Sequence, residues 1–599
     1  MNMLKSTIKP CVGAMAVLFA AFAQQDAMAL DPIKIGDVDV GTITGYIRTQ
    51  GSWNLQDNPA LKDPTNPASG KIGGKGDMSM WRSTLKLEYV NSNLPLDSKL
   101  TIVGRLVHEA RTSYLKDLNA STHAVGGAPA QLGGGGGNGA PAGDIMDYYN
   151  DNSEAFREAY LDIPISERVK FRFGKQQVVW GETDLLQAMD IVNPRDLSWR
   201  ALFEPEDEEW RKPLIMANVM ISVPEAYGSL QLIYRPGWDK DTQMGNTADK
   251  FGGRWGPQYM VSVPFLADLR TALGLGNKTT VPIFGKGINT DVLLPTNYHH
   301  KNGDTDDPSY GFRWTGVFGE DNIGYSLAYY HTLSDNPVLN ISAPALGIKP
   351  YGGQIGANAL DLAQVIPELG LMTPPGAPPL ARAEFILPKV DIIGATTNAY
   401  VQPLDIVFRG EMAVTLNKPY NVDVKLPAFL GPPLGGVVTS LPPGIIEKDT
   451  VKLMLGFDKQ LPLMDLLGTD SASFWTVQIF DNWIPNFDKK DMIQDIFFSR
   501  MKEHSVIAVT TLGLSYKTNQ VQPGIALAVD TSNGGGVIIP SINLLYGDHW
   551  RLRMDAPIFF KAGGGCSTDP VTGRGEDCTH LFGTFDNNNQ FSARLTYQF

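Results

Sequence analysis

Apolar and polar residues alternate with a period of two in segment after segment of this 599-residue chain. Trp81, Ser83, Leu85, Leu87 and Tyr89 alternate with Arg82, Thr84, Lys86 and Glu88. The same spacing runs through Ile323–Tyr329, Ile406–Val414, Val451–Phe457 and Trp550–Ile558. Successive side chains of a strand point to opposite faces, so each run predicts a β-strand with one apolar and one polar face. In several runs the polar set carries both signs of charge, as in Arg409 and Glu411 or Arg553 and Asp555. No stretch after the first thirty residues offers 18 consecutive apolar positions, so spanning helices are not expected. The expectation is an all-β, antiparallel transmembrane barrel, its apolar face toward lipid and its polar face toward a lumen. Roughly sixteen to nineteen strand-like runs, and the preference of such barrels for even numbers, predict about 16 strands within a range of 14–18.

The two ends of the chain separate this reading from a soluble β-sandwich. Lys5 and Lys9 precede an apolar stretch from Cys11 to Ala23, and Ala27-Met28-Ala29 provides small residues around a cleavage site. Residues 1–29 therefore predict a secretory signal peptide, leaving 30–599 as the barrel. At the other end Phe591, Ala593, Leu595, Tyr597 and Phe599 share one face. Phe591, Leu595, Tyr597 and the terminal Phe599 resemble the signal read by the barrel-insertion machinery, an expected partner. Export and insertion together predict the outer membrane of a Gram-negative bacterium, in contact with lipid and lipopolysaccharide. Aromatic residues near strand ends, such as Trp81, Tyr89, Trp550 and Phe559, fit interfacial girdles, although strand propensity alone places some of them.

Composition narrows the partners. The net charge is −13, the wrong sign for a nucleic-acid binder. Cys566 and Cys578, the pair left after Cys11 departs with the leader, are expected to form a disulfide in an exported protein. Long connections are expected at 125–143, 266–310, 334–395, 417–449 and 561–589. The first is a Gly-rich linker that lacks the Lys-Ser/Thr of a phosphate-binding loop. Residues 334–395 and 417–449 are Pro- and Gly-rich yet apolar, and Leu360–Leu371 suggests a short helix. Such loops form either a lid, plug or greasy capture surface, or a folded cap.

No serine-esterase, dinucleotide, haem or zinc spacing is present, so the chain is not read as an enzyme and no cofactor is expected. His299-His300 with Asp304, Asp306 and Asp307, and the acidic run at 204–209, are read by default as solvated. A weak surface Ca²⁺ site is the alternative; no resident metal is assigned.

One segment departs from the alternation. Residues 171–213 read FRFGKQQVVWGETDLLQAMDIVNPRDLSWRALFEPEDEEWRKP. Trp180-Gly181-Glu182 follows a strand and leads into about thirty residues without period-two patterning, with a turn at Asn193-Pro194. Glu204, Glu206, Asp207, Glu208 and Glu209 crowd five carboxylates into six positions, flanked by Arg195, Arg200, Arg211 and Lys212. Inside a lumen such charges must pair or stay wet. We expect residues 182–212 to fold into the barrel and narrow it. The constriction candidates are Trp180, Glu182, Asp184, Asp190, Arg195, Asp196, Glu204, Glu206, Asp207, Glu208, Glu209 and Arg211, with Arg82, Arg409 or Arg553 as partners from the wall. A periplasmic turn or a surface loop is the other reading of this segment.

The same segment, with the length, leader and aromatic terminus, resembles a family of uncharacterised Gram-negative outer-membrane proteins encoded beside RND-superfamily inner-membrane permeases and periplasmic lipoprotein-carrier-like proteins. The resemblance implies an outer-membrane conduit for hydrophobic or lipid-like molecules, with the permease and the periplasmic carrier as partners. It hands down no binding residues. The rivals are a diffusion porin for small hydrophilic solutes, and a structural or adhesive barrel that transports nothing.

Overall fold

A computed structural model describes residues 38–57, 74–116, 155–183, 186–195, 206–237, 308–319, 323–335, 338–344, 349–357, 382–425, 438–494, 501–560 and 589–599, with shorter pieces between them. The signal-peptide residues 1–29, the linker 125–143, Cys566 and Cys578, and the His299–Asp307 cluster lie outside the described side chains.

Eighteen strands close into one antiparallel barrel. In chain order they are β1 (Val38–Asn54), β2 (Met78–Asn91), β3 (Lys99–Glu109), β4 (Phe156–Pro164), β5 (Val169–Gln176), β6 (Leu214–Val223), β7 (Gly228–Arg235), β8 (Ser309–Phe318) and β9 (Ile323–Leu333). There follow β10 (Lys389–Val401), β11 (Ile406–Lys425), β12 (Val438–Leu461), β13 (Ser473–Trp483), β14 (His504–Gly513), β15 (Val521–Asp530) and β16 (Gly535–Tyr546). Strand β17 is Trp550–Asp555 continued by Ile558–Phe560, and β18 is Gln590–Gln598. Each strand pairs with its neighbours in sequence, and β18 closes on β1 from Gln598 opposite Tyr46 to Gln590 opposite Asn54. Reciprocal backbone bonds of 3.0 Å between Gly45 and Phe599 extend that seam to the aromatic terminus. Closure leaves no unpaired edge, the condition for a sheet in hydrocarbon.

The alternation sorts outer from inner face. Leu327, Ile393, Met412, Leu455, Ile479 and Ile525 are exposed on the outside, while Gln176, Ser326, Thr396, Glu411, Thr476, Gln478, Ser592 and Thr596 are buried within. The count is two above the central expectation of 16, at the top of its range, because the inner face is not polar all round. On β12–β17 the inward residues include Met454, Phe480, Val509, Ala528, Val537 and Phe559, which form one buried apolar cluster. With apolar residues on both faces, strands such as β16 lose the alternation that marks a strand by sequence.

Connections alternate between short turns, such as Pro224–Ala226 between β6 and β7, and long excursions at the other end. Two of the expected long loops are shorter than their sequence suggests. Strand β11 continues through 417–425 and β12 already begins at Val438, so most of 417–449 is a tall hairpin. A bulge hides the continuity: the register shifts between Thr415 and Lys418, with Asn417 at φ 49°. Within 334–395, Val338–Ser342 and Leu360–Asp361 pair with Arg382–Ile386, which also pairs with Thr296–Asn297 of the 266–310 connection. Strand β10 starts at Lys389. Leu360 and Asp361 are thus strand, not the start of a helix; 362–381 lie outside the described residues. The small sheet rests on the hairpin. Asn421 exchanges bonds of 2.8 and 2.9 Å with the backbone of Leu339, and Asp335 receives Lys418 and Lys452 at 2.8 and 2.6 Å. The described parts of these apolar loops therefore pack as a folded cap.

Candidate functional site: the segment crossing the lumen

The long connection between β5 and β6 leaves the wall at Gln176 and returns at Leu214. Its ends are held together by one side chain. Asn193 accepts from Val178 N at 2.8 Å and donates to the carbonyls of Gln176 and Lys212 at 3.2 and 2.8 Å. Lys212 N bonds Pro194 O at 2.8 Å, and Arg195 bridges Arg211 in antiparallel fashion. Beneath this bridge Asp190 Oδ2 receives Arg195 Nη2 at 2.6 Å and Arg211 Nη2 at 2.5 Å, while the Arg195 guanidinium lies 4.2 Å above the Trp210 ring. A Cβ on Gly181 would sit 2.7 Å from Asp190 N, so the fold brings those two turns together only because residue 181 is glycine.

From this knot the segment reaches three arcs of the wall. The first arc is apolar. Trp180 is fully buried; its Nε1 donates to Gln231 on β7 at 2.8 Å, and its ring meets Tyr330 of β9 edge-on at 5.6 Å. Met189 packs over Gly394 of β10, where a Cβ would overlap the methionine sulfur and methyl. Strand β11 supplies charged anchors beside it. Glu411 accepts the backbone N–H groups of Glu182 and, at 2.8 Å, Met189; Arg409 donates to Glu182 O at 2.6 Å. Asn398 of β10 donates to Glu182 Oε1 at 2.8 Å. The second arc is the apolar cluster of β12–β17, against which Leu186 and Ala188 pack.

The third arc is basic and receives the acidic run. Arg594 of β18 holds Glu204 Oε1 at 2.7 Å and grips both oxygens of Glu206 at 2.7 and 2.9 Å. Glu209 accepts from the Tyr46 hydroxyl of β1 and pairs with Arg105 of β3 at 3.0 Å, with Arg48 of β1 at 3.9 Å. Lys86 of β2 reaches Glu208 at 2.7 Å. Arg157 of β4 donates one Nη2 to the carbonyls of Glu208, Glu209 and Arg211 at 2.9, 3.2 and 2.8 Å, binding the single helical turn Asp207–Trp210 to the wall. Burial alone would raise the Glu209 carboxyl, but Arg105, Arg48 and Arg157 together hold it well below the usual carboxylate range. Glu206 is likewise lowered, with burial outweighed by Arg594 and Arg48.

Of the residues singled out by sequence, Trp180, Glu182, Asp190, Arg195, Glu204, Glu206, Glu208, Glu209 and Arg211 thus have defined partners. Asp184, Asp196 and the Asp207 side chain lie outside the described residues. Among the expected wall partners Arg409 bonds the segment; Arg82 pairs with Glu109 of β3 at 2.8 Å and Arg553 with Asp555 at 3.5 Å, and neither is seen to bond the described residues of the segment. Sequence reading missed Tyr46, Arg48, Lys86, Arg105, Arg157, Asn398 and Arg594. The available signal was charge at a period-two inward position, as at Arg594 between Phe591 and Tyr597. Among the described residues no group of three or more His, Cys, Asp or Glu is arranged to hold a metal ion.

A closed eighteen-stranded antiparallel barrel with an apolar outer face, crossed by one of its own connections, has the architecture of a transmembrane β-barrel. More particularly, the chain belongs to the family described as "Protein of unknown function (DUF1302)", which matches residues 11–599. No curated protein matches it. Among solved structures it is similar to Acinetobacter baumannii OccAB1 at 8% identity and TM-score 0.38, over 93% of this chain and 96% of that one. It is likewise similar to a BenF-like porin from Pseudomonas fluorescens Pf-5, at 8% and 0.38 over 94% and 99%. Salmonella typhi OmpF, solved in complex with daunomycin, stands at 8% and 0.35 over 95% and 100%.

Proposed function

We propose that this protein is a conduit of the Gram-negative outer membrane for hydrophobic or lipid-like molecules, closed at rest by its own inward-folded connection. The observation that carries the reading is that the connection is fastened to walls on opposite sides, to Arg594 of β18 and Arg105 of β3 in one direction and to Tyr330 of β9 and Glu411 of β11 in the other. Residues from well-separated strands meet on one short segment only across the interior. The apolar inner wall favours a substrate with substantial hydrocarbon, since burying apolar surface against it releases water from both. Handover to a periplasmic lipid-carrier-like protein and an RND-type permease completes the proposed route, and rests on the family resemblance.

The basic arc favours a second reading, a diffusion porin for small hydrophilic solutes. Single-channel conductance of the refolded chain in a planar bilayer separates the two. The conduit reading expects a silent wild type and a conducting variant in which 182–212 are replaced by a short Gly/Ser linker. Steady ion conductance through the wild type would establish the porin instead.

A further inference from the structure

The crossing segment carries two chemistries on one short piece of chain. Its apolar part, Leu186 and Ala188, packs on hydrocarbon side chains of β12–β17. Its acidic part, Glu204, Glu206 and Glu209, is gripped by guanidinium groups of β18, β1 and β3. An apolar body bearing carboxylates is the description of an ionised fatty acid or a similar amphiphile. We propose that the wall is a binding site for an amphiphile with a carboxylate head group, and that the segment occupies it as a built-in competitor. Arg594, Arg48 and Arg105 are the head-group site.

Three features of the arc support this. Arg594 offers a fork that takes a carboxylate in two-point fashion, the geometry that distinguishes arginine from lysine at such sites. With the segment docked its side chain is 4% exposed and that of Arg48 9%, and both reach Glu206, so the segment covers two neighbouring cations that its departure uncovers for an incoming anion. Tyr46 adds a neutral donor to the same oxygen cluster. The inference deepens the conduit reading and rests on it: displacement of the acidic run by an incoming carboxylate is at once recognition and unlocking. A neutral lipid fills the apolar arc but offers no carboxylate to replace Glu204, Glu206 and Glu209 at the guanidinium groups, and so competes poorly.

The test uses the full refolded chain in nanodiscs of zwitterionic lipid, with dodecanoate as the probe and dodecanol and dodecyltrimethylammonium as comparators. In the variant Glu204→Gln/Glu206→Gln/Glu209→Gln the competitor has lost the carboxylates that Arg594, Arg48 and Arg105 hold. Dodecanoate is expected to bind it about tenfold more tightly than wild type, and Arg594→Gln added to the triple variant abolishes the gain. Because the triple variant leaves several buried cations unpaired, the single change Glu206→Gln is measured alongside, with a smaller gain expected. Equal binding of dodecanol and dodecanoate, or no gain in either variant, overturns the carboxylate site. Conductance is recorded on the same preparations. A variant that conducts without preferring dodecanoate removes this inference and leaves the conduit standing. Dodecanoate binding by a chain that never conducts, even with 182–212 replaced, supports the site and removes the conduit.

Discussion

Arg594, on the last strand of the barrel, holds both carboxylate oxygens of Glu206, 388 residues earlier in the chain, at 2.7 and 2.9 Å. The same guanidinium reaches Glu204, whose side chain is 1% exposed. One residue therefore ties the inward segment to the seam where the barrel closes. Replacing it removes the partner of a buried carboxylate, a change that costs about 3–5 kcal/mol when the surviving charge stays buried. Arg594→Ala is expected to release the acidic turn: trypsin or Glu-specific protease cleavage within 204–211 should appear in the variant and be absent from wild type. Unchanged protection would show that the remaining anchors suffice.

The apolar anchor makes a different demand. Gly394 lies beneath the Met189 thioether, whose sulfur and methyl any side chain there would displace. Gly394→Val forces the methionine off the wall, and a clash of this kind destabilises by about 1–3 kcal/mol. Met189→Ala restores the space. Bilayer recordings should show a raised open probability for Gly394→Val and a partial return toward closure in the double variant; additive effects of the two changes would mean that the residues do not act on one another.

Asn193 staples the ends of the segment with three bonds to backbone groups. Asn193→Ala leaves Val178 N and two carbonyls unpartnered, and each unsatisfied buried group costs about 1–3 kcal/mol. Hydrogen exchange at Val178 and Lys212 should accelerate while exchange on β10–β16 stays slow. Uniform acceleration would indicate that the staple supports the whole barrel rather than the segment.

Docking should also depend on pH. Glu209 and Glu206 are lowered in the docked segment, and once released into water each titrates at the ordinary value of about 4.3. Lowered groups contribute docking stability that is fully present above the ordinary value and is lost as pH falls below it toward the depressed one. The barrel is thus expected to stay closed from neutral pH to about 5 and to open progressively below about 4. Glu209→Gln should weaken closure at neutral pH and flatten this dependence. An acid response identical to wild type would place the titrating groups elsewhere.

Sequence alone determined the strands wherever one face met lipid and the other met polar residues. A period-two pattern such as Trp81–Tyr89 or Phe591–Phe599 has no other economical reading, since a one-residue slip would turn charges into hydrocarbon. The odd character of 182–212 was equally legible, because five carboxylates in six positions cannot belong to a spanning strand. Tertiary structure decided the rest. It turned the segment inward, brought Arg48, Arg105 and Arg594 onto its carboxylates, and set Met189 on Gly394. It also lined β12–β17 with apolar residues on both faces, so that the strand count rose to eighteen where alternation had faded. Which inward charges meet depends on where distant strands stand around a closed circle. Local periodicity reports the face a side chain occupies, but not what stands opposite it.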